Sequence, residues 1–136
     1  MDRNLQLLGI AKKAGLLAVG GDDVSASART GKARLIISAS DASEGSQRRA
    51  RINAETGNAL CVVVPYTKFE LGSVTQRGSP GTLAVLDAGL AAGFMRGLAE
   101  ADPERYSKAA KLLAERAESI AAKKKHTPSG KRRTAQ

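Results

Sequence analysis

Leu16-Leu17-Ala18-Val19-Gly20-Gly21-Asp22-Asp23 decides how the chain is read, because it joins a short strand to a helix through a double glycine. Adjacent glycines permit positive φ and close approach by a partner, and a following Asp caps a helix whose first N–H groups face outward. Such a turn seats a polar ligand, and the same strand–loop–helix order recurs downstream.

Upstream, Asn4 to Ala14 reads as a helix with Leu5, Leu8 and either Ile10 or Ala11 on one side, stopped by Gly15. Downstream, Asp22 is expected to cap a helix through about Thr30, with Gly31 as its stop, before the strand Arg34 to Ala39. A turn at Asp41-Ala42-Ser43 opens a polar helix running to Thr56 with Gly57 as terminator. The strand Leu60 to Val64 follows and ends at Pro65. Lys68 to Gln76 is a short helix carrying Phe69, Leu71 and Val74, and the loop Arg77 to Gly81 leads to the strand Thr82 to Leu86. Asp87 then caps a helix to about Glu100.

Strands separated by helices of this length call for a three-layer α/β/α sandwich with about four strands in a largely parallel or mixed central sheet. Ligands of such sheets sit off the edge where strand-to-helix loops gather, here Gly20–Asp23, Ser40–Ser43, Pro65–Lys68 and Leu86–Ala88. Beyond this sandwich, residues 1–100, Asp102-Pro103 opens one more helix over 101–122 with Tyr106, Ala110, Leu113, Ala117 and Ile120 as a packing stripe. Residues 123–136, rich in Lys and Arg with Pro128, Ser129 and Gly130, have the composition of a disordered basic tail.

The 136 residues make one ordinary domain, long enough to hold a core without staples. The longest apolar stretch, Ala59 to Val64, is too short to span a bilayer and the chain opens on no secretory signal, so a cytoplasmic protein with no membrane partner is expected. Cys61 has no second cysteine to pair with, and together with His126 it supplies no metal set; Cys61 reads as a small hydrophobe within a strand. No P-loop, nucleophile–base pair or cofactor motif is present, so the expectation is a protein without catalysis, cofactor or small-molecule substrate.

Twenty-two Lys and Arg against 13 Asp and Glu give a formal charge of +9, which points to a polyanionic partner. Residues 1–100 carry 12 basic and 9 acidic side chains, and residues 101–136 carry 10 and 4, so most of the excess lies at the C-terminal end. A specific site in the sandwich therefore depends on arranged loops, while the tail adds salt-sensitive attraction to phosphates. Lys12, Lys13, Arg48, Arg49 and Arg51 read as solvated helix charges, and Asp41 as a turn residue bonding its own backbone.

The order of elements, with Leu7-Leu8-Gly-Ile-Ala-Lys-Lys-Ala-Gly15, Gly21-Asp-Asp-Val24 followed by Gly31-Lys32-Ala33, Leu35-Ile-Ile-Ser-Ala-Ser-Asp-Ala-Ser43 and Lys68-Phe-Glu-Leu-Gly72, resembles the kink-turn RNA-binding ribosomal protein superfamily, of the archaeal large-subunit L-seven-Ae type, and its small bacterial relatives. The resemblance covers about residues 4–100. It implies the same sandwich, and recognition of RNA kinked by a bulge next to sheared G·A pairs. It places Gly20, Gly21, Asp22 and Asp23 in the groove, with Asp23 accepting from guanine N1–H and N2–H₂. Asp22 stands where archaeal members carry an amide, and Ala26 where they often carry a phosphate-contacting Lys, for which Arg29 and Lys32 are substitutes. Pro65, Tyr66, Thr67 and Lys68 match the loop that covers the bulged nucleotide, with Tyr66 either stacking on a base or lying as a partly exposed loop residue.

The expected function is thus non-catalytic binding of structured, kink-turn-like RNA, ribosomal or other, by a monomer associated with the ribosome or translation. The alternatives are a substrate-RNA-binding module, as in domains fused to RNA methyltransferases, and a protein-interaction module whose tail alone meets nucleic acid. Aromatics make up 3% of the chain, too few for a stacking platform of the RRM or OB type.

Overall fold

A computed structural model of the chain describes residues 2–126. Helix α1 (Arg3–Lys13) is capped by Asp2, whose Oδ1 accepts from the Asn4 N–H at 2.7 Å and the Leu5 N–H at 3.3 Å. Its buried face is Leu5, Leu8 and Ala11, and Ile10 points to solvent. The remaining elements are β1 (Leu17–Val19), α2 (Gly21–Arg29), β2 (Leu35–Ser38), α3 (Glu44–Gly57), β3 (Leu60–Val63), α4 (Lys68–Thr75), β4 (Thr82–Val85), α5 (Ala88–Ala101) and α6 (Pro103–His126).

The four strands form one mixed sheet in the order β1-β4-β2-β3. β2 and β3 pair in parallel with Leu35 opposite Leu60, whereas β4 runs antiparallel to both β1 and β2, with Val85 between Leu17 and Leu35. Of the two arrangements expected, largely parallel or mixed, the mixed one forms. The physical reason is the connection before β4: α4 packs across α1, and Gly72 lets residues 76–81 fold back against it, so the chain stays at the end of the sheet where it left β3. β4 thus starts at the edge where β1, β2 and β3 end.

Side chains alternate through the sheet as the pleat requires. Leu17, Val19, Leu35, Ile37, Leu83 and Val85 face a large core shared with α1, α4, α5 and α6, which contains Leu8, Leu71, Phe94, Met95 and Leu113. Ala18, Ile36 and Ala84 face a thinner, alanine-rich core with Val24, Ala28, Ala50 and Ala54 from α2 and α3. Helices cover both faces, which makes the expected three-layer α/β/α sandwich.

Three local expectations change. Asp22 lies inside the first turn of α2, and Gly20, at φ 92°, is its N-cap without any side-chain cap bond. Gly57 belongs to α3, which ends on Asn58 in the left-handed region at φ 52°; a Cβ at Gly57 would stand 3.0 Å from the Ala28 carbonyl oxygen, so the glycine serves the close approach of α2 and α3. α6 continues to His126, so the basic run beginning at Lys123 extends a helix instead of opening the disordered tail expected over 123–136. Residues 127–136 lie outside the described ones.

The α6 stripe packs as its spacing predicts, with Tyr106 and Leu113 buried and Ala110, Ala117 and Ile120 partly so. The Tyr106 hydroxyl donates to the Val63 carbonyl at 2.8 Å, which ties the helix to the edge strand β3. Cys61, in that strand, is half-buried, and burial raises its thiol pKa, as befits a packing residue.

Candidate nucleic-acid interface

The direction of β4 decides which loops meet. Gly20–Asp23, Ser40–Ser43 and Pro65–Lys68 gather at one edge as expected, but Leu86–Ala88 follows the end of β4 and lies at the opposite edge. Its place is taken by residues 76–81, between α4 and β4.

Hydrogen bonds stitch these four segments together. The Gly20 N–H donates to the Thr82 carbonyl at 3.1 Å, the Ala39 N–H to the Gly81 carbonyl at 2.9 Å, and the Ser40 N–H to the Tyr66 carbonyl at 2.8 Å. Asp41 is no self-bonding turn residue: its Oδ1 accepts from the Lys68 N–H at 2.8 Å, joining two loops 27 positions apart. Thr67 and Glu70 form a capping box at the start of α4. Gly72 lets this helix lie directly on the 76–81 loop, because a Cβ there would overlap the Gly78 carbonyl oxygen.

At the α2 end of the edge, Gly21, Asp22 and Asp23 are all exposed, and the first-turn N–H groups carry no side-chain cap. Two arginines that no sequence motif assigns to a site stand beside them. Arg77 Nη2 is 3.9 Å from Asp23 Oδ2, and Arg49 Nη2 is 3.6 Å from where a Cβ on Gly21 would be. The result is an alternation of carboxylates, helix-end donors and guanidinium groups on one ridge. Carboxylates accept from guanine edges, and guanidinium groups suit phosphates.

At the other end, Pro65 is exposed and Thr67 and Lys68 are half-buried, but Tyr66 is in the core. Its ring lies 6.5 Å from that of Phe94, and its hydroxyl donates to Asp2 Oδ2 at 3.1 Å. Burial, reinforced by Asp2, raises its phenol pKa well above the ordinary value of 10.0. Tyr66 therefore offers no face to a base. The exposed aromatic is Phe69, 77% accessible in the first turn of α4, because the inner face of that helix is formed by Leu71, Gly72 and Thr75.

Arg29 and Lys32 are not part of this assembly. Both are exposed, Arg29 in the last turn of α2 and Lys32 in the turn before β2, which puts them toward the opposite edge. The structure thus brings together Gly20, Gly21, Asp22, Asp23, Pro65, Thr67 and Lys68, adds Arg49, Arg77 and Phe69, and leaves Arg29, Lys32 and the Tyr66 side chain apart. Only the packing of α2 on α3 brings Arg49 to Gly21, and no local sequence signal carries that. Among the described residues, no three His, Cys, Asp or Glu side chains cluster as metal ligands, and no helix is long and apolar enough to cross a membrane.

No family model matches the chain, and no curated protein matches it in sequence. Solved structures share its fold. The structure of a protein with unknown function from Bacillus halodurans superposes with a TM-score of 0.64 at 24% identity, covering 71% of this chain and 97% of that one. A 15.5 kD RNA-binding protein from Giardia lamblia superposes with a TM-score of 0.55 at 16% identity, covering 66% of this chain and 79% of that one. What is shared at these identities is the fold.

Proposed function

We propose that the chain is a non-catalytic RNA-binding protein that grips structured, kink-turn-like RNA at the loop edge and works within or beside the translation machinery. The observation that carries this reading is the ridge from Gly20 to Asp23, where exposed carboxylates and uncapped helix N–H groups stand between Arg49 and Arg77. In this reading Asp23 accepts from a guanine edge exposed by the kink, the two arginines hold the flanking phosphates, and Phe69 covers an unpaired base beside Pro65 and Thr67. The fold shared with the Giardia RNA-binding protein supports it, as do the overall charge of +9 and the resemblance of residues 4–100 to the kink-turn binders.

The test is a titration of the full chain against a kinked RNA and a straight duplex of equal length. Tighter binding to the kinked RNA, reduced to duplex level by Asp23→Ala, is the expected result. Equal affinity for the two RNAs before any substitution would refute the reading.

A further inference from the structure

At the edge of the sheet opposite the loops, α6 leaves a cleft of about 310 Å³ lined by Arg34, Asn58, Arg116, Ser119, Ile120 and Lys123. It adjoins a narrower cavity of about 120 Å³ beneath the helix, where Ala33, Gly57 and Leu113 are also lining residues. Half of the cleft residues are cations, one is an amide and one a hydroxyl, and none of those six is a carboxylate. Arg116 is fixed there by donating from Nη1 to the Asn58 carbonyl at 3.2 Å. The neighbouring hollow on the Arg34 side includes Asp87, whose Oδ2 accepts from the Leu90 N–H at 2.9 Å as the cap of α5. Arg29 and Lys32, absent from the loop edge, belong to this side of the molecule.

We propose that this far-edge cleft is a second RNA-contact surface, which holds the sugar–phosphate backbone of a segment other than the one at the loop edge. Guanidinium, ammonium, amide and hydroxyl donors are the groups that phosphate oxygens accept from. No aromatic side chain lines the cleft to stack on bases, and three of its six residues are cations, so the contact is weighted toward the phosphates. An acidic protein partner fits less well, because such interfaces centre on aromatic or apolar anchors and Ile120 is the one apolar residue lining the cleft. The two edges lie at opposite ends of the strands, so the cleft and the loop edge are separate surfaces.

This inference rests on the proposed RNA binding but not on the preference of the loop edge for kinked RNA. The test uses the full chain carrying Arg34→Gln and Lys123→Gln together, both exposed positions, against the same kinked and straight RNAs over a series of salt concentrations. The logarithmic salt slope is expected to become shallower by about 1.5 on both RNAs, at roughly 0.7–0.9 for each phosphate no longer neutralised. Any preference for kinked RNA should be unchanged, and the charge-retaining pair Arg34→Lys and Lys123→Arg should restore the slope. Capture of a second, labelled duplex by protein seated on immobilised kinked RNA should fall in the Gln variant. An unchanged slope overturns the inference, and so does loss of poly-glutamate binding with RNA binding intact. A slope that falls in a protein showing no preference for kinked RNA refutes the loop-edge reading and keeps this one.

Discussion

Arg77 Nη2 stands 3.9 Å from Asp23 Oδ2, and through this pair the loop entering β4 meets the first turn of α2. Both side chains are more than half exposed, so the pair contributes little to stability and leaves both groups free to exchange one another for a ligand. Asp23→Ala should accordingly change unfolding free energy by no more than about 0.5 kcal/mol. The same substitution should weaken kinked RNA by about 1–3 kcal/mol and straight duplex hardly at all. Chemical denaturation and RNA titration on one preparation check both halves.

Phe69→Ala offers a separate handle on the other end of the ridge. Because the ring is 77% exposed, thermal stability should be almost unchanged, whereas loss of stacking should weaken RNA with an unpaired base by about 1–3 kcal/mol. RNA lacking the unpaired base should bind the variant and the parent alike, and a calorimetric comparison of the two RNAs would reveal a ring without a role.

The buried phenols predict a pH dependence. Burial, then the bond to Asp2, raises Tyr66, and burial raises Tyr106. A group whose folded pKa exceeds its unfolded value lends stability that is complete below the unfolded pKa, near 10, and is lost as pH climbs through the folded value. Unfolding free energy should therefore fall from about pH 10 upward. Tyr66→Phe should flatten part of that fall, at a cost of about 0.5–1.5 kcal/mol at neutral pH for the lost hydrogen bond. Urea unfolding at several pH values measures both.

Cutting the chain after Ala101 should lower its stability without removing the sandwich. Tyr106 and Leu113 are 3% and 2% exposed, and burial of such side chains contributes about 1.5–3 kcal/mol each. A shortened chain that still melts cooperatively at a lower temperature would show that 1–100 is a domain which α6 completes. One with no transition would make α6 part of the domain itself.

The elements themselves were legible because each rests on local signals: the Leu5–Leu8–Ala11 stripe, the turn at Asp41–Ser43, the cap at Asp87, and the β-branched strands Leu35–Ser38 and Leu60–Val63. The direction of β4 was not, since Thr82–Val85 is buried throughout and such a run fits a parallel or an antiparallel neighbour equally. That one ambiguity moved Leu86–Ala88 to the wrong edge and hid the contribution of Arg77. Tyr66 and Phe69 exchanged roles for a similar reason. Which of two nearby aromatics turns inward depends on the reach of Asp2 and the position of Phe94, both distant in the chain.

The place of β4 also sets the order in which the molecule can assemble. Among the described residues β4 is the last strand, it lies between β1 and β2, and it is the one strand with which β1 pairs. On a ribosome, at about 5–20 residues per second, Leu17–Val19 must wait several seconds for Thr82–Val85 to emerge. Until then the parallel β2–β3 pair has nothing along one side, and a newborn chain stalled before β4 would present an open strand edge to its neighbours.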